Sequence, residues 1–428
     1  MVRRNFVYDI MARKRIYYGW WIVSAAVAVG LYVGGVVVYG FTAMFDPLIR
    51  EFGWSHATVS FAASLRGAES GVLEPVAGRF VDRWGPRRLV FIGGLFVAGG
   101  LLLLSNTSSL AMFYGAYVLL AVGFSCCGTT VLVSGVGNWF RARLGLATGI
   151  ALCGFGLGGF VLPGMVALID HYGWRVAFEI LAVGAVVVLL PLAFVFRHRP
   201  EQYGYRMDGA DAAFSLVGAP SSPEHVTQES DIGVRQALRT RSFWLLTLAF
   251  TLHTGAVLTV TTHVMPYLDS IGIGRMSAGL MATGIPVLSI LGRLGLGYLG
   301  DKVSRTRVTI LGMGAMSLGI VSFILVPSVG LVALLAFLVL FGIGYGGVTA
   351  LRPALTREYF GRAHFGSIFG AVIGINAVGG IIGPPAAGWV FDVFADYHIA
   401  WTALAVLMGA AALFILVARR CQSVELSG

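Results

Sequence analysis

Arg293 lies well inside the apolar stretch 276–298, about one helical turn from the charged loop that follows it. A guanidinium presents a planar fork of N–H donors that fits a carboxylate with two parallel hydrogen bonds. At the centre of a membrane helix it costs about 2.5–3.5 kcal/mol on insertion scales, so it needs a partner. Three are open to it: an anionic substrate, a protein acid, or interfacial water reached by snorkelling.

Other chemistry-bearing residues sit in equally apolar surroundings. Arg66 and Glu69 stand three apart in the stretch 57–78 and share one helix face. They form either a mutual ion pair or a proton acceptor, Glu69, tuned by Arg66. Glu74, near the end of the same stretch, reads as half of a gate salt bridge. His263, three residues before Pro266, can change charge near neutral pH beside a carboxylate, or can simply satisfy a helix end. His253 is a second such candidate. Tyr32, Tyr39, Tyr345 and Asn376 offer donors at mid-depth to a cavity, or serve packing. Arg352, beside Pro353, reads as structural. Cys126, Cys127, Cys153 and Cys421 have no metal-ligand spacing, and no cofactor or metal is expected.

The elements that hold these residues are membrane helices. Of 428 residues, 57% are hydrophobic and 12% charged, with mean hydropathy +0.83. A soluble domain carries about 25% charged residues, so this chain is not built to fold in water. Stretches long enough to span fall near 18–43, 57–78, 88–106, 110–135, 145–168 and 176–196, then near 242–268, 276–298, 308–328, 331–352, 364–391 and 399–419. Arg13-Lys14-Arg15 precedes the first, which is too long for a signal h-region and reads as a retained helix. Residues 201–240 read as a polar linker with a short surface helix near 232–239, separating a bundle at 1–200 from another at 241–428.

The two sets repeat. Gly78-Arg79-Phe80-Val81-Asp82-Arg83 returns 219 positions later as Gly297-Tyr298-Leu299-Gly300-Asp301-Lys302, and the same offset relates Pro47 to Pro266, Gly53 to Gly272 and Glu74 to Arg293. Six helices separate corresponding elements, which makes a parallel repeat about an axis along the membrane normal, with a binding site between the halves. The net charge of +10 follows topology: 24 of the 30 Lys and Arg fall in segments on one side, which the positive-inside rule makes cytoplasmic, together with both termini. That distribution excludes a nucleic-acid reading. The glycines 154, 156, 158 and 159, and 374, 379, 380 and 383, permit close sliding contacts between helices. No P-loop lysine follows them, which argues against an ATPase.

The turn Gly78…Asp82-Arg83…Gly85…Arg87-Arg88 resembles the signature loop of the major facilitator superfamily. Tyr17-Tyr18-Gly19-Trp20-Trp21, Gly53-Trp54-Ser55, Phe140-Arg141…Arg143…Gly145-Leu146-Ala147, His263 with Pro266-Tyr267, and Gly292-Arg293-Leu294 resemble its monocarboxylate transporter and oxalate–formate antiporter branch in bacterial form. The resemblance covers nearly all of the chain except the linker. It implies a twelve-helix, all-α integral membrane fold in two six-helix bundles, working by alternating access. Oxalate carriers of that branch add a lysine in the eleventh helix; here the stretch 365–391 has none and its central polar residue is Asn376. Animal relatives carry an aspartate one turn before the arginine, where this chain has Ser289.

The expectation is therefore a multi-pass inner-membrane secondary transporter, not an enzyme, that moves small organic anions. Proton-coupled symport of a lactate- or pyruvate-like monocarboxylate is the main reading. Carboxylate exchange and drug or siderophore export are the rivals. Arg293, His263, Tyr32, Tyr345, Asn376 and Ser289 are assigned to the substrate, and Glu69, Arg66 and His263 to the proton. The resemblance assigns Asp82, Arg83, Arg87, Arg88, Arg141 and Asp301 to a cytoplasmic gate: Asp82 caps the eleventh helix with Arg141 as ionic neighbour, and Asp301 does the same against the fifth. The other reading of these loop charges is topology alone. Beyond substrate, protons and lipid no partner is expected, and the chain is expected to be a monomer.

Overall fold

A computed structural model describes residues 17–40, 47–48, 51–54, 71–208, 233–273, 275–394 and 396–418. Every regular element among them is helical, and ten helices are long and apolar enough to cross a membrane. α1 is Tyr18–Val33, prolonged by a π-helical segment Gly34–Tyr39. α2 covers 71–84, the part of the second stretch that is described. α3 is Pro86–Ser105, and α4 runs as Leu110–Cys126 and, after a break at Cys127 and Gly128, Thr129–Gly137. α5 begins as Leu144–Leu157, tightens to a 3-10 turn Gly158–Val161, and continues into the element Leu162–Val195. That element breaks at Gly173, whose φ of 79° no β-carbon tolerates easily, so α5 covers 144–172 and α6 covers 174–195.

The second set is α7 Arg241–Ser270, α8 Arg275–Lys302, α9 Arg305–Ile324, α10 Leu331–Phe360, α11 Phe365–Phe394 and α12 His398–Val417. With α2 and α8 added to the ten apolar spans, the chain is a multi-pass membrane protein of twelve helices. A four-residue helix, Val234–Ala237, lies in the segment read as carrying a surface helix.

Local chemistry explains the ends. Gly85, at φ 78°, turns the chain at once into Pro86, whose missing N–H costs nothing in a first helical turn. The Ser109 and Ser304 hydroxyls accept from the N–H groups of Met112 and Arg307 and so cap α4 and α9. Apolar residues lie all round most helices, because lipid takes one side and protein the other.

Side chains pack into two main cores. One is built from residues between Ile22 and Phe196 with Ala354, the other from residues between Ala237 and Ala418. A small third cluster, Val133, Leu152, Phe365 and Phe369, bridges them. The seam between the cores is backbone against backbone. Along α2 and α11, a β-carbon at Gly78 would stand 2.1 Å from the Gly366 carbonyl oxygen, and one at Gly370 would stand 2.5 Å from that of Glu74. Along α5 and α8, one at Gly145 would stand 2.7 Å from the Gly297 oxygen, and one at Gly149 2.5 Å from that of Arg293. These contacts run from mid-depth to the end that carries the linker, here called the linker face.

Candidate functional site

Arg293 projects from α8 and is 7% exposed. Its Nη1 donates to the Leu152 carbonyl of α5 at 2.8 Å, and its Nε has no hydrogen-bond partner. The guanidinium carbon lies 5.8 Å from the centre of the Tyr345 ring of α10, a cation–π arrangement. Among the described residues no carboxylate forms an ion pair with it. Cys153 of α5 lies close enough to interact with it. Ser289, one turn earlier on α8, is buried and donates its hydroxyl to the Pro286 carbonyl at 2.7 Å.

A second buried cation lies behind Tyr345. Arg352 of α10 is 9% exposed, and its Nη2 is 2.9 Å from Nδ1 of His253 on α7. A guanidinium has no acceptor, so Arg352 donates and His253 is held with Nδ1 deprotonated. The His253 ring stands 6.1 Å from that of Tyr345 and also points to the Tyr345 backbone, and the Arg352 Nε is buried without a partner. Asn376 of α11 accepts from the Thr251 hydroxyl of α7 at 3.1 Å, and its Nδ2 is likewise unpartnered. This half of the seam therefore gathers two cations and several unused N–H groups, an arrangement that stabilises an anion.

The other assigned residues lie elsewhere. The Tyr32 hydroxyl donates to the Leu181 carbonyl of α6, within the first core. His263 is occupied at both nitrogens, by the Pro384 carbonyl at 2.9 Å and the Tyr397 hydroxyl at 3.1 Å. The carbonyl can only accept, so Nε2 carries the proton and Nδ1 accepts from the tyrosine. His263 thus braces α7 against α11 and α12 and does not meet Arg293. Arg66, Glu69 and the Tyr39 side chain lie outside the described residues. The salt bridge expected of Glu74 is not seen among the described residues: it is 3% exposed, its Oε2 has no partner, and no described cation pairs with it. The repeat offset matches it to Arg293 in sequence, but its carboxyl turns into its own bundle, toward α4.

At the linker face two carboxylates cross the seam. Asp82 accepts from the Gly366 N–H at 2.8 Å, the Ser367 N–H at 2.7 Å and the Ser367 hydroxyl at 2.6 Å, at the first turn of α11. Asp301 accepts from the Gly145 and Leu146 N–H groups, both at 2.8 Å, at the first turn of α5. An anion there meets the positive end of the helix dipole. Burial nevertheless pushes both carboxyls above the usual aspartate value, while the hydrogen bonds pull the other way. Arg141 joins through its carbonyl, which accepts from Arg305 Nη2 at 2.7 Å, and Arg305 also pairs with Asp301 at 3.0 Å. The Arg141 side chain is exposed, and Asp82 is held by the N–H groups of Gly366 and Ser367 and by the Ser367 hydroxyl. Arg83 and Arg88 are exposed, and Arg87 lies over the Phe194 ring at 4.6 Å.

Two further arginines close this face, and the sequence reading passed over both. Buried Arg357 of α10 donates to the Phe140 carbonyl at 2.7 Å and also to that of Gly137. Arg362 pairs with Glu201 at 2.8 Å and donates to the Asn138 carbonyl at 2.9 Å. The five-residue spacing of Arg352, Arg357 and Arg362 was the signal available.

Two six-helix sets with capped, glycine-lined seams and a polar centre define a secondary-transporter fold. The sequence profile of the Major Facilitator Superfamily matches residues 21–332 and 256–425, and the chain belongs to that superfamily. It is 27% identical over 373 residues to the oxalate:formate antiporter of Oxalobacter formigenes, covering 85% of this chain and 83% of that protein. It is 27% identical over 424 residues to monocarboxylate transporter 12-B of Danio rerio, covering 94% and 88%. Among solved structures, the proton:xylose symporter XylE superposes with a TM-score of 0.72 at 15% identity, covering 94% of this chain and 96% of that one. The fucose:proton symporter FucP in its outward conformation gives 0.66 at 15% identity, covering 94% and 100%. These structural likenesses concern the fold.

Proposed function

We propose that the chain is a secondary transporter of small organic anions, and that it carries a lactate- or pyruvate-like monocarboxylate together with a proton by alternating access. The observation that carries this reading is Arg293: a buried guanidinium, beside Tyr345, with an unpartnered Nε and no protein carboxylate against it among the described residues. A monocarboxylate supplies the missing charge and accepts from the fork. The relatives named as monocarboxylate transporters and as an oxalate:formate antiporter support the substrate class. The charge bias makes the linker face cytoplasmic, so this conformation is closed toward the cytoplasm, held by Asp82, Asp301, Arg357 and Arg362. The two cores support two bundles that rock about the central arginine, within a single monomer.

A second reading, exchange of one carboxylate for another, draws on the second buried cation, Arg352, which lets the site stay charge-compensated with a larger or doubly charged anion. Uptake of labelled lactate into proteoliposomes separates the two. Uptake driven by an acid-outside gradient and lost in Arg293→Gln supports symport. Uptake indifferent to the gradient but stimulated by internal carboxylate supports exchange. Uptake that survives the substitution removes Arg293 from the binding role.

A further inference from the structure

We propose that Glu74 is the carboxyl that takes up and releases the transported proton; this rests on the proton-coupled reading above. Glu74 lies in the first turn of the described part of α2, 3% exposed, with Oε2 sealed from solvent and unpartnered. Among the described residues the groups that face it are few. From α4 come Gly128, where a β-carbon would stand 2.9 Å from Glu74 Oε1, and Thr130, whose backbone N–H and hydroxyl both point to the carboxyl. From α11 come Gly370 and Gly374, which press on the backbone of Glu74 and on Pro75. Neither Thr129–Gly137 of α4 nor residues 365–376 of α11 contains a charged or histidine side chain. On α2 itself Arg79 is exposed, and Asp82 is committed to Gly366 and Ser367.

Among the described residues, an ionised carboxylate sealed in this way has no cation to offset its desolvation. The Thr130 donors favour the ion, and burial away from any cation among the described residues favours the acid more strongly. The break in α4 leaves the carbonyls of Phe124 and Ser125 crowding the same space, 2.9 and 3.4 Å from the β-carbon position of Gly128. Carbonyl oxygens repel a carboxylate and accept from an O–H. In this closed conformation Glu74 is therefore a protonated carboxylic acid.

Its position couples that proton to the transport cycle. The Glu74 backbone is part of the α2–α11 seam, which must part when the linker face opens. Water then reaches the carboxyl, the O–H bond breaks, the proton leaves to that side, and the carboxylate is hydrated. The carrier then recloses with the carboxyl ionised and takes its next proton from the opposite side, so that each cycle moves one proton across. Acid accordingly favours the closed state, because the closed state is the one that binds the proton.

The test is Glu74→Gln, which mimics the protonated acid in shape and neutrality, in two proteoliposome assays. Accumulation of labelled lactate driven by a pH gradient is expected to fall at least tenfold. Exchange of labelled for unlabelled lactate at equal pH, which needs no net proton movement, is expected to stay within about threefold of wild type. Glu74→Asp is expected to restore part of the gradient response. Gradient-driven accumulation at the wild-type level in Glu74→Gln would overturn the proposal, and so would equal loss of exchange and accumulation in a monodisperse protein. An infrared measurement stands apart from the choice of substrate. A protonated-carboxyl C=O band present at neutral pH in the wild-type transporter and absent from Glu74→Gln is expected. If the wild type moves no lactate at all, the monocarboxylate reading fails while this band still decides Glu74; absence of the band from the wild type would sink the proposal.

Discussion

The Arg293 guanidinium of α8 donates to the Leu152 carbonyl of α5, so a cation of one core is tied to the backbone of the other. The bond places the guanidinium where relative motion of the two bundles is felt first. On the proposed function, a substrate carboxylate that takes over this donor is expected to weaken the seam on one side and engage Arg293 on the other.

Replacing Arg293 with lysine separates charge from shape. An ammonium keeps the charge but loses the planar fork and the contact with Leu152. Loss of one hydrogen bond to a charged group is worth about 1.5–3 kcal/mol, so KM for lactate is expected to rise about 10- to 150-fold. Concentration-dependent uptake measures it, and an unchanged KM would show that the fork is not used.

Asp82 and Asp301 each tie two helices across the seam, so their substitution is expected to act on the cycle rather than on the substrate. Asp82→Asn keeps one acceptor oxygen but turns an NH2 toward an N–H donor of α11, at a cost of about 1–3 kcal/mol to the closed state. Turnover is expected to fall about fivefold or more while KM moves less than about threefold. Equal effects on both would mean that the substitution reaches the binding site.

Gly78→Ala tests the seam by volume. The new methyl would stand 2.1 Å from the Gly366 carbonyl oxygen, a backbone atom that cannot swing aside. The linker face is then expected to stay ajar. Spin labels at the exposed positions 83 and 307, on opposite sides of the seam, should report a longer distance in the variant. An unchanged distribution would show that the seam yields elsewhere.

Glu201 supplies a pH test. Burial works to raise its carboxyl, but the hydrogen bonds and charge of Arg362 outweigh this and hold it below the usual glutamate value. A carboxyl depressed in the closed state stabilises that state above its ordinary titration range, and the effect is lost only as pH falls through the lower value. Between about pH 7 and about pH 5.5 the contribution is therefore constant. With Glu201 largely exposed, it is worth about 0.2–1 kcal/mol. Glu201→Gln should raise the open fraction about 1.4- to 5-fold, equally at both pH values, by the same pair of labels. A ratio that changes across that range would contradict the assignment.

Much of this was legible in the sequence. Runs of apolar residues, the positive bias of the loops and the 219-residue repeat determine twelve helices and their order, because lipid enforces backbone satisfaction within each span. Arg293 was legible because a charge in an apolar run has no cheap explanation. The pairing of Arg352 with His253 was not: it depends on how α10 rotates against α7, which no local pattern encodes. His263 and Tyr32 carry the right chemistry for a site, yet packing gave their polar atoms to Pro384, Tyr397 and Leu181. The setting of Glu74 was not legible either: the repeat offset aligns it with Arg293 and says nothing of which way each side chain turns.

Arg357, itself buried, holds the carbonyl of Gly137, the last residue of α4, and that of Phe140 just beyond it. Neither the guanidinium nor the two carbonyls can remain bare when the linker face parts, so each must be wetted as it is released. Opening of this transporter is then an uptake of solvent as much as a rotation of helices. Its rate should slow in osmolytes that are excluded from a narrow cleft, and it should be insensitive to those small enough to enter with the water.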